Sequence, residues 1–155
     1  MPDCNMELLE SVSEIDWAWL AGAVDGEGNL RIYKNRGTYC QATLRVFNTH
    51  YNFIEKVSRI TQGNILGKQG DTPFRTRTCY YVQIGQNGQL WYILRSMLPY
   101  LTAKRKLAEL VIEYLDIRNR FLRYTGREQD LLRLCEEVTK ENSMYGKVSC
   151  KDGGV

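Results

Sequence analysis

Asp25 and Glu27 close the stretch Trp17-Ala18-Trp19-Leu20-Ala21-Gly22-Ala23-Val24-Asp25-Gly26-Glu27-Gly28, and two carboxylates so placed are hard oxygen ligands of the kind that hold Mg²⁺ or a similar divalent cation. Read as a helix, the stretch puts Ala18, Ala21, Gly22, Asp25 and Gly26 on one face, at steps of three and four. That face carries almost no side chain, so another backbone can lie against it as in small-xxx-small helix pairs. The opposite side, with Trp17, Leu20 and Val24, suits a core. Both acids fall at the helix C-terminus, where the macrodipole already leaves about half a negative charge. Acids at a disfavoured position, beside a face made for close contact, read as a cation site rather than a stability device.

The rest of the chain narrows the chemistry. Five cysteines (Cys4, Cys40, Cys79, Cys135, Cys150) are scattered with no CxxC pair, and His50 is the only histidine, which argues against structural zinc and for free thiols in a reducing interior. No apolar run approaches the ~20 residues of a membrane span, and no signal-peptide pattern opens the sequence. The expected setting is intracellular, a prokaryotic cytoplasm or an organelle matrix, with no membrane partner. At 155 residues, 43% hydrophobic and 25% charged, the composition fits one globular domain. The net charge of +3 hides an asymmetry: residues 1–30 hold seven acids and no Lys or Arg, whereas residues 31–79 hold nine Lys or Arg and two acids.

These residues need elements to position them. Ser13 can cap the first helix, with Asp16 placed as in a capping box. After Gly28 the period becomes two: Asn29, Arg31, Tyr33 and Asn35 alternate with Leu30 and Ile32, a turn follows at 35–38, and Gln41, Thr43 and Arg45 alternate with Ala42, Leu44 and Val46. A helix is expected over 48–61, a short strand at 63–67, a loop at 68–74, and a second polar-faced strand carrying Arg75, Arg77, Tyr81 and Gln83. Helices follow at 87–98, from 102, and from 127 to 142. The domain is read as 1–142, with 143–155 a disordered tail. The polar strand faces hold Arg, Gln, Asn, Tyr and Thr but no acid, the side chains that contact phosphates and base edges. Arg31, Arg45, Arg75 and Arg77 suit guanine or phosphate. Gln41, Gln83 and Asn29 suit adenine, and Tyr33 and Thr43 suit thymine methyls. A solvated surface is the alternative for each one. A strand of about nine residues spans ~30 Å, enough to follow about nine base pairs of major groove.

Leu20-Ala21-Gly22-Ala23-Val24-Asp25-Gly26-Glu27-Gly28 resembles the LAGLIDADG motif of homing endonucleases and intron maturases. It departs at Ala23, where a larger apolar residue is usual, mildly at Val24, and at Gly26, a common variant. Glu27 stands where Asp is more frequent, one methylene longer. The element order matches over roughly residues 13–120, which implies an α+β fold: one LAGLIDADG domain, α-β-β-α-β-β-α plus C-terminal helices, with a curved antiparallel DNA-binding sheet. One motif and no second half imply a homodimer whose helices cross through Ala18, Ala21, Gly22 and Asp25. The resemblance makes Glu27 the essential metal ligand, joined by the Gly26 carbonyl, with Mg²⁺ or another divalent cation such as Mn²⁺ or Ca²⁺. It gives Asp25 a more structural role. It places Asn48 where a water-positioning glutamine is familiar, although Asn48 could equally cap the next helix. It places the catalytic-site lysine on Lys104, with Arg105 and Lys106 close enough for the register to slip. The basic residue the family often places after the second strand has no clear counterpart in Thr49-His50-Tyr51-Asn52; His50 could contribute, though a surface role is more usual for such a histidine. The implied activity is site-specific hydrolysis of double-stranded DNA at a long pseudo-palindromic intron-homing target, leaving 3' overhangs. The alternatives are an intron RNA maturase or a non-catalytic DNA-binding protein on the same fold.

Overall fold

The computed structural model describes residues 4–34, 40–68, 77–120 and 128–152. Ten regular elements follow in order: α1 (Met6–Glu10), α2 (Glu14–Glu27), β1 (Gly28–Lys34), β2 (Cys40–Asn48), α3 (Tyr51–Thr61), β3 (Ile65–Lys68), β4 (Cys79–Ile84), α4 (Asn87–Met97), α5 (Arg105–Arg120) and α6 (Glu128–Asp152), with a 3-10 turn at Leu98–Tyr100. The strands form one antiparallel sheet in the order β1-β2-β4-β3.

Alternation in the strands sorts their side chains. Leu30, Ile32, Ala42, Leu44, Val46, Val82 and Ile84 are buried on one face, against Leu20 and Val24 of α2, Ile54 and Val57 of α3, Leu90, Ile93 and Leu94 of α4, and Val111 and Leu115 of α5, in a single core. Tyr114 of α5 is fully buried and donates its hydroxyl to the Cys40 carbonyl. Burial pushes its phenol up to about 12. The outer edge of β1 is covered by α6, whose Asn142 side chain donates to the Leu30 carbonyl at 2.9 Å and whose Cys135 thiol donates to that of Ile32, so a strand edge that could recruit another chain is occupied.

Several boundaries differ from the sequence reading. The short helix α1, capped by the Asn5 side chain, lies in a stretch the sequence reading left unassigned. The helix expected from 48 starts at Tyr51 because Asn48 still belongs to β2. The strand expected from 75 starts at Cys79, leaving Arg77 in a bend, and Arg75 lies outside the described residues, as does the 35–38 turn. The tail expected from 143 continues α6 to Asp152.

The α2–β1 junction fixes the site. Ser13 caps α2, its hydroxyl accepting from the Asp16 amide at 3.2 Å, as the capping-box spacing predicts. At the other end α2 passes into β1 with no intervening loop, the Gly28 amide donating to the Val24 carbonyl. A Cβ at Gly28 would stand 2.6 Å from the Val24 carbonyl oxygen and 2.8 Å from its Cα, backbone atoms that cannot move aside. Gly28→Ala is therefore expected to cost about 2–3 kcal/mol or more, read as a lower urea midpoint. An unchanged midpoint would show that the junction has slack.

Candidate functional site

The carboxylates at the end of α2 have opposite fates. Asp25 is tied down: its two oxygens accept from the backbone amides of Thr102 and Lys104, each at 2.8 Å, capping the entry to α5. Lys104 returns the contact. Its Nζ donates to the carbonyls of Val24 and Asp25, again at 2.8 Å, and so occupies the negative end of the α2 dipole. Burial lowers the Lys104 pKa below the usual lysine range, while the charges of Asp25 and Glu27 pull it the other way. The reciprocal caps answer the puzzle of acids at the wrong end of a helix: the C-terminal carbonyls already have a cation, the ammonium of Lys104. Arg105 and Lys106 are exposed and paired with Glu109 and Glu141, so of the three basic residues Lys104 is the one turned to the site.

Glu27 is exposed, and among the described residues its carboxylate has no hydrogen bond or ion pair. Gly26 beside it is exposed too, and nothing lies within 4 Å of where its Cβ would be. No three His, Cys, Asp or Glu side chains cluster among the described residues. Asn48 ends β2, two residues past the partner of Gly28. Its Oδ1 accepts from the His50 amide at 2.8 Å, an Asx turn leading into α3, and its amide NH₂ makes no hydrogen bond among the described residues. His50 is exposed.

The small face of α2 is narrower than the spacing implied. Ala21 is fully buried in the protomer's own core, and the Asp25 carboxylate is spent on α5. Facing outward are Gly22 and Gly26, exposed with open space where a Cβ would be, and the half-exposed Ala18. Ile15, 80% exposed, continues the same line one turn earlier.

The polar sheet face forms as expected over most of its length. The register lines up Asn29, Arg45 and Gln83, then Arg31 beside Thr43, then Tyr33 beside Gln41. The Tyr33 hydroxyl donates to Gln41 Oε1. Arg31, Tyr33, Arg45 and Arg77 are exposed. Thr43 is not: it is 3% exposed, so its methyl cannot stand proud for a thymine. The next row, Phe47, Tyr81 and Leu66, extends the face as an apolar patch in which the Phe47 and Tyr81 rings lie 5.3 Å apart. Phe47 was missed, although continuing the alternation of β2 by one step finds it. Asn29, Arg31, Tyr33, Thr43, Arg45 and Phe47 line a groove of about 350 Å³.

No family model and no curated protein matches the sequence. Solved structures do match. The archaeal intron-encoded homing endonuclease I-Vdi141I, complexed with DNA, aligns at a TM-score of 0.67 and 14% identity over 83% of this chain and 84% of its own. The homing endonuclease I-CvuI, in complex with its target in the presence of Ca, aligns at 0.63 and 23% identity over 83% and 82%. The LAGLIDADG homing endonuclease I-GzeII, in complex with its DNA target, aligns at 0.60 and 18% over 79% of this chain but only 43% of that one. This chain has the LAGLIDADG homing endonuclease fold. In LAGLIDADG terms, the nonapeptide is the second half of α2 and the first residue of β1, and its final acid, Glu27, stands at the junction between the exposed α2 stripe and the polar sheet. Among the described residues no helix is long and apolar enough to cross a membrane.

Proposed function

We propose that the protein is a site-specific DNA endonuclease acting as a homodimer with a divalent cation. One observation carries the reading: the exposed Glu27 carboxylate, with no hydrogen bond or ion pair among the described residues, lies where the open stripe of α2 meets an arginine-bearing sheet face. A single protomer aligns with four-fifths of I-CvuI but with 43% of I-GzeII, which supports one chain being half of a working unit. Two copies crossing through Ala18, Gly22 and Gly26 would bring two Glu27 carboxylates together, and that pair fits Mg²⁺, Mn²⁺ or Ca²⁺ as one chain alone does not. A divalent cation held there supplies a more acidic attacking water and charge stabilisation for the phosphodiester. The chain's own residues do the rest. Glu27, with the neighbouring Gly26 carbonyl, provides the ligands. The Asp25–Lys104 caps fix the helix end that carries them. The Asn48 amide NH₂ orients water or phosphate, and the basic sheet grips the duplex and sets the phosphodiester over the acids.

The test is selection from a randomised duplex library with Mg²⁺. Recovery of long pseudo-palindromic sites, cleaved to leave 3' overhangs, is expected. Selective binding without metal-dependent cleavage would make the protein a DNA-binding regulator, and preference for intron RNA a maturase. The dimer has its own test. Gly22→Leu inserts a side chain where two backbones nearly touch, while the protomer has room for it. Sedimentation should therefore show a folded monomer with little loss of helix, the penalty of about 1–3 kcal/mol falling on association. A fully dimeric, active Gly22→Leu protein rejects the crossing.

A further inference from the structure

Five of the six described residues that line the groove of the sheet carry a hydrogen-bonding side chain; Phe47 does not. Its place in the ladder is at the end that holds the acids. Val46 pairs with Gly28, so Phe47 stands one step further along β2, and Glu27 stands one step before the first residue of β1. Ring and carboxylate therefore come to the same end of the sheet. Phe47 is half-buried. Tyr81 lies across the ladder from it, with the ring centroids 5.3 Å apart and the planes inclined at 32°. Beyond Tyr81 comes Leu66, 45% exposed. The row next to it holds Arg45 and Gln83. An apolar row open to solvent and bordered by hydrogen-bonding side chains is the mark of a contact surface. Packed against Tyr81, the ring lies low on the sheet and has none of the reach of an arginine. What such a surface can receive is the backbone of a duplex, whose sugars offer C–H groups and carry no sequence information.

We propose that Phe47 is a positioning residue: its ring, backed by Tyr81 and Leu66, seats the deoxyribose beside the scissile phosphate and so sets that phosphate over Glu27. The arginines and amides of the groove hold the duplex by hydrogen bonds that long side chains can make at several depths. A ring wedged against its neighbour has one depth, and it acts as a stop. The distinction matters for rate, because a displacement of about 1 Å at the reacting atoms can cost on the order of a hundredfold. The inference rests on the endonuclease reading, and concerns neither a base contact nor a ligand of the cation.

The test compares wild type, Phe47→Ala and Phe47→Leu on a duplex selected by the wild-type protein with Mg²⁺. Three readouts are taken: the single-turnover cleavage rate at saturating protein, the Kd, and the base preferences in a fresh binding selection. Phe47→Ala should cleave roughly ten- to a hundredfold more slowly, with a Kd within about threefold of wild type and the same preferences. Phe47→Leu keeps an apolar stop and should recover most of the rate. Should the Ala variant not fold, Phe47→Gln, of similar length but polar, takes its place under the same expectation. Unchanged cleavage overturns the proposal. Equal losses of rate and affinity overturn it too, because the ring then only adds grip. Lost preference at one position in each half-site also overturns it, making the ring a thymine-methyl contact. In all three cases wild-type cleavage leaves the endonuclease reading standing. If wild type binds duplex but cleaves none, the reading and this inference fall together.

Discussion

Glu27→Gln is expected to reduce strand cleavage by about a hundred- to a thousandfold or more, while specific DNA binding and folding stay near wild type. The substitution keeps the size of the side chain and removes its charge, so what is lost is the ability to hold a hard cation beside the attacking water. Stability should not suffer, because the carboxylate is exposed and makes no hydrogen bond or ion pair among the described residues. The measurement is single-turnover cleavage of a selected site beside a binding isotherm. Undiminished cleavage by the purified variant takes Glu27 out of the mechanism.

The largest effects on stability should come from the neighbouring residues. Asp25→Ala removes two 2.8 Å acceptor contacts at the entry to α5, and Lys104→Met removes two donor contacts at the end of α2. Each should cost about 2 kcal/mol, or roughly 4–8 °C in melting temperature for a domain of this size. Because both cap one joint between two helices, the double variant should lose less than the sum of the singles. A lysine acting only on the phosphate would behave otherwise: Lys104→Met would then lose cleavage with its melting temperature unchanged. Strict additivity of the two variants would mean that the caps do not act as a unit.

The sequence made the architecture legible because its signals were local and strong. The Ser13 cap, the change from helical to alternating period at Gly28, and the apolar sets of the strands each specify one element, and all appear in the structure. What could not be read was mostly a matter of which neighbour a side chain chooses. Ala21 and Gly22 are both small and adjacent, so composition gives no reason to divide the face between them. The division is made by the packing of the protomer's own core, which buries the first and leaves the second exposed. The resemblance gave Asp25 the more structural role, and the structure supplies the reason, the two amides at the entry to α5 that its carboxylate accepts from. Lys104, Arg105 and Lys106 are three basic residues in a row, and it is the turn before α5 that brings Lys104 to the end of α2. Thr43 fits the polar alternation by position, while its burial is a property of the assembled sheet.

The direct passage of α2 into β1 at Gly28 has a mechanical meaning. With no linker, a helix and the strand that continues it turn as one lever, and a Cβ at the joint would meet backbone. In a pair of copies pivoting on α2, any change in the angle between the two helices would swing the sheets with it. Over the seven residues of β1, some 23 Å of strand, a rotation of about 10° would sweep the far end by ~4 Å, close to the ~3.4 Å between successive base pairs. The angle at the helix crossing would therefore act as a caliper setting, fixing how many base pairs separate the two half-sites. Substitutions on the stripe far from any base, at Ile15 or Ala18, would then change the preferred spacing of the target and leave the letters read within each half untouched.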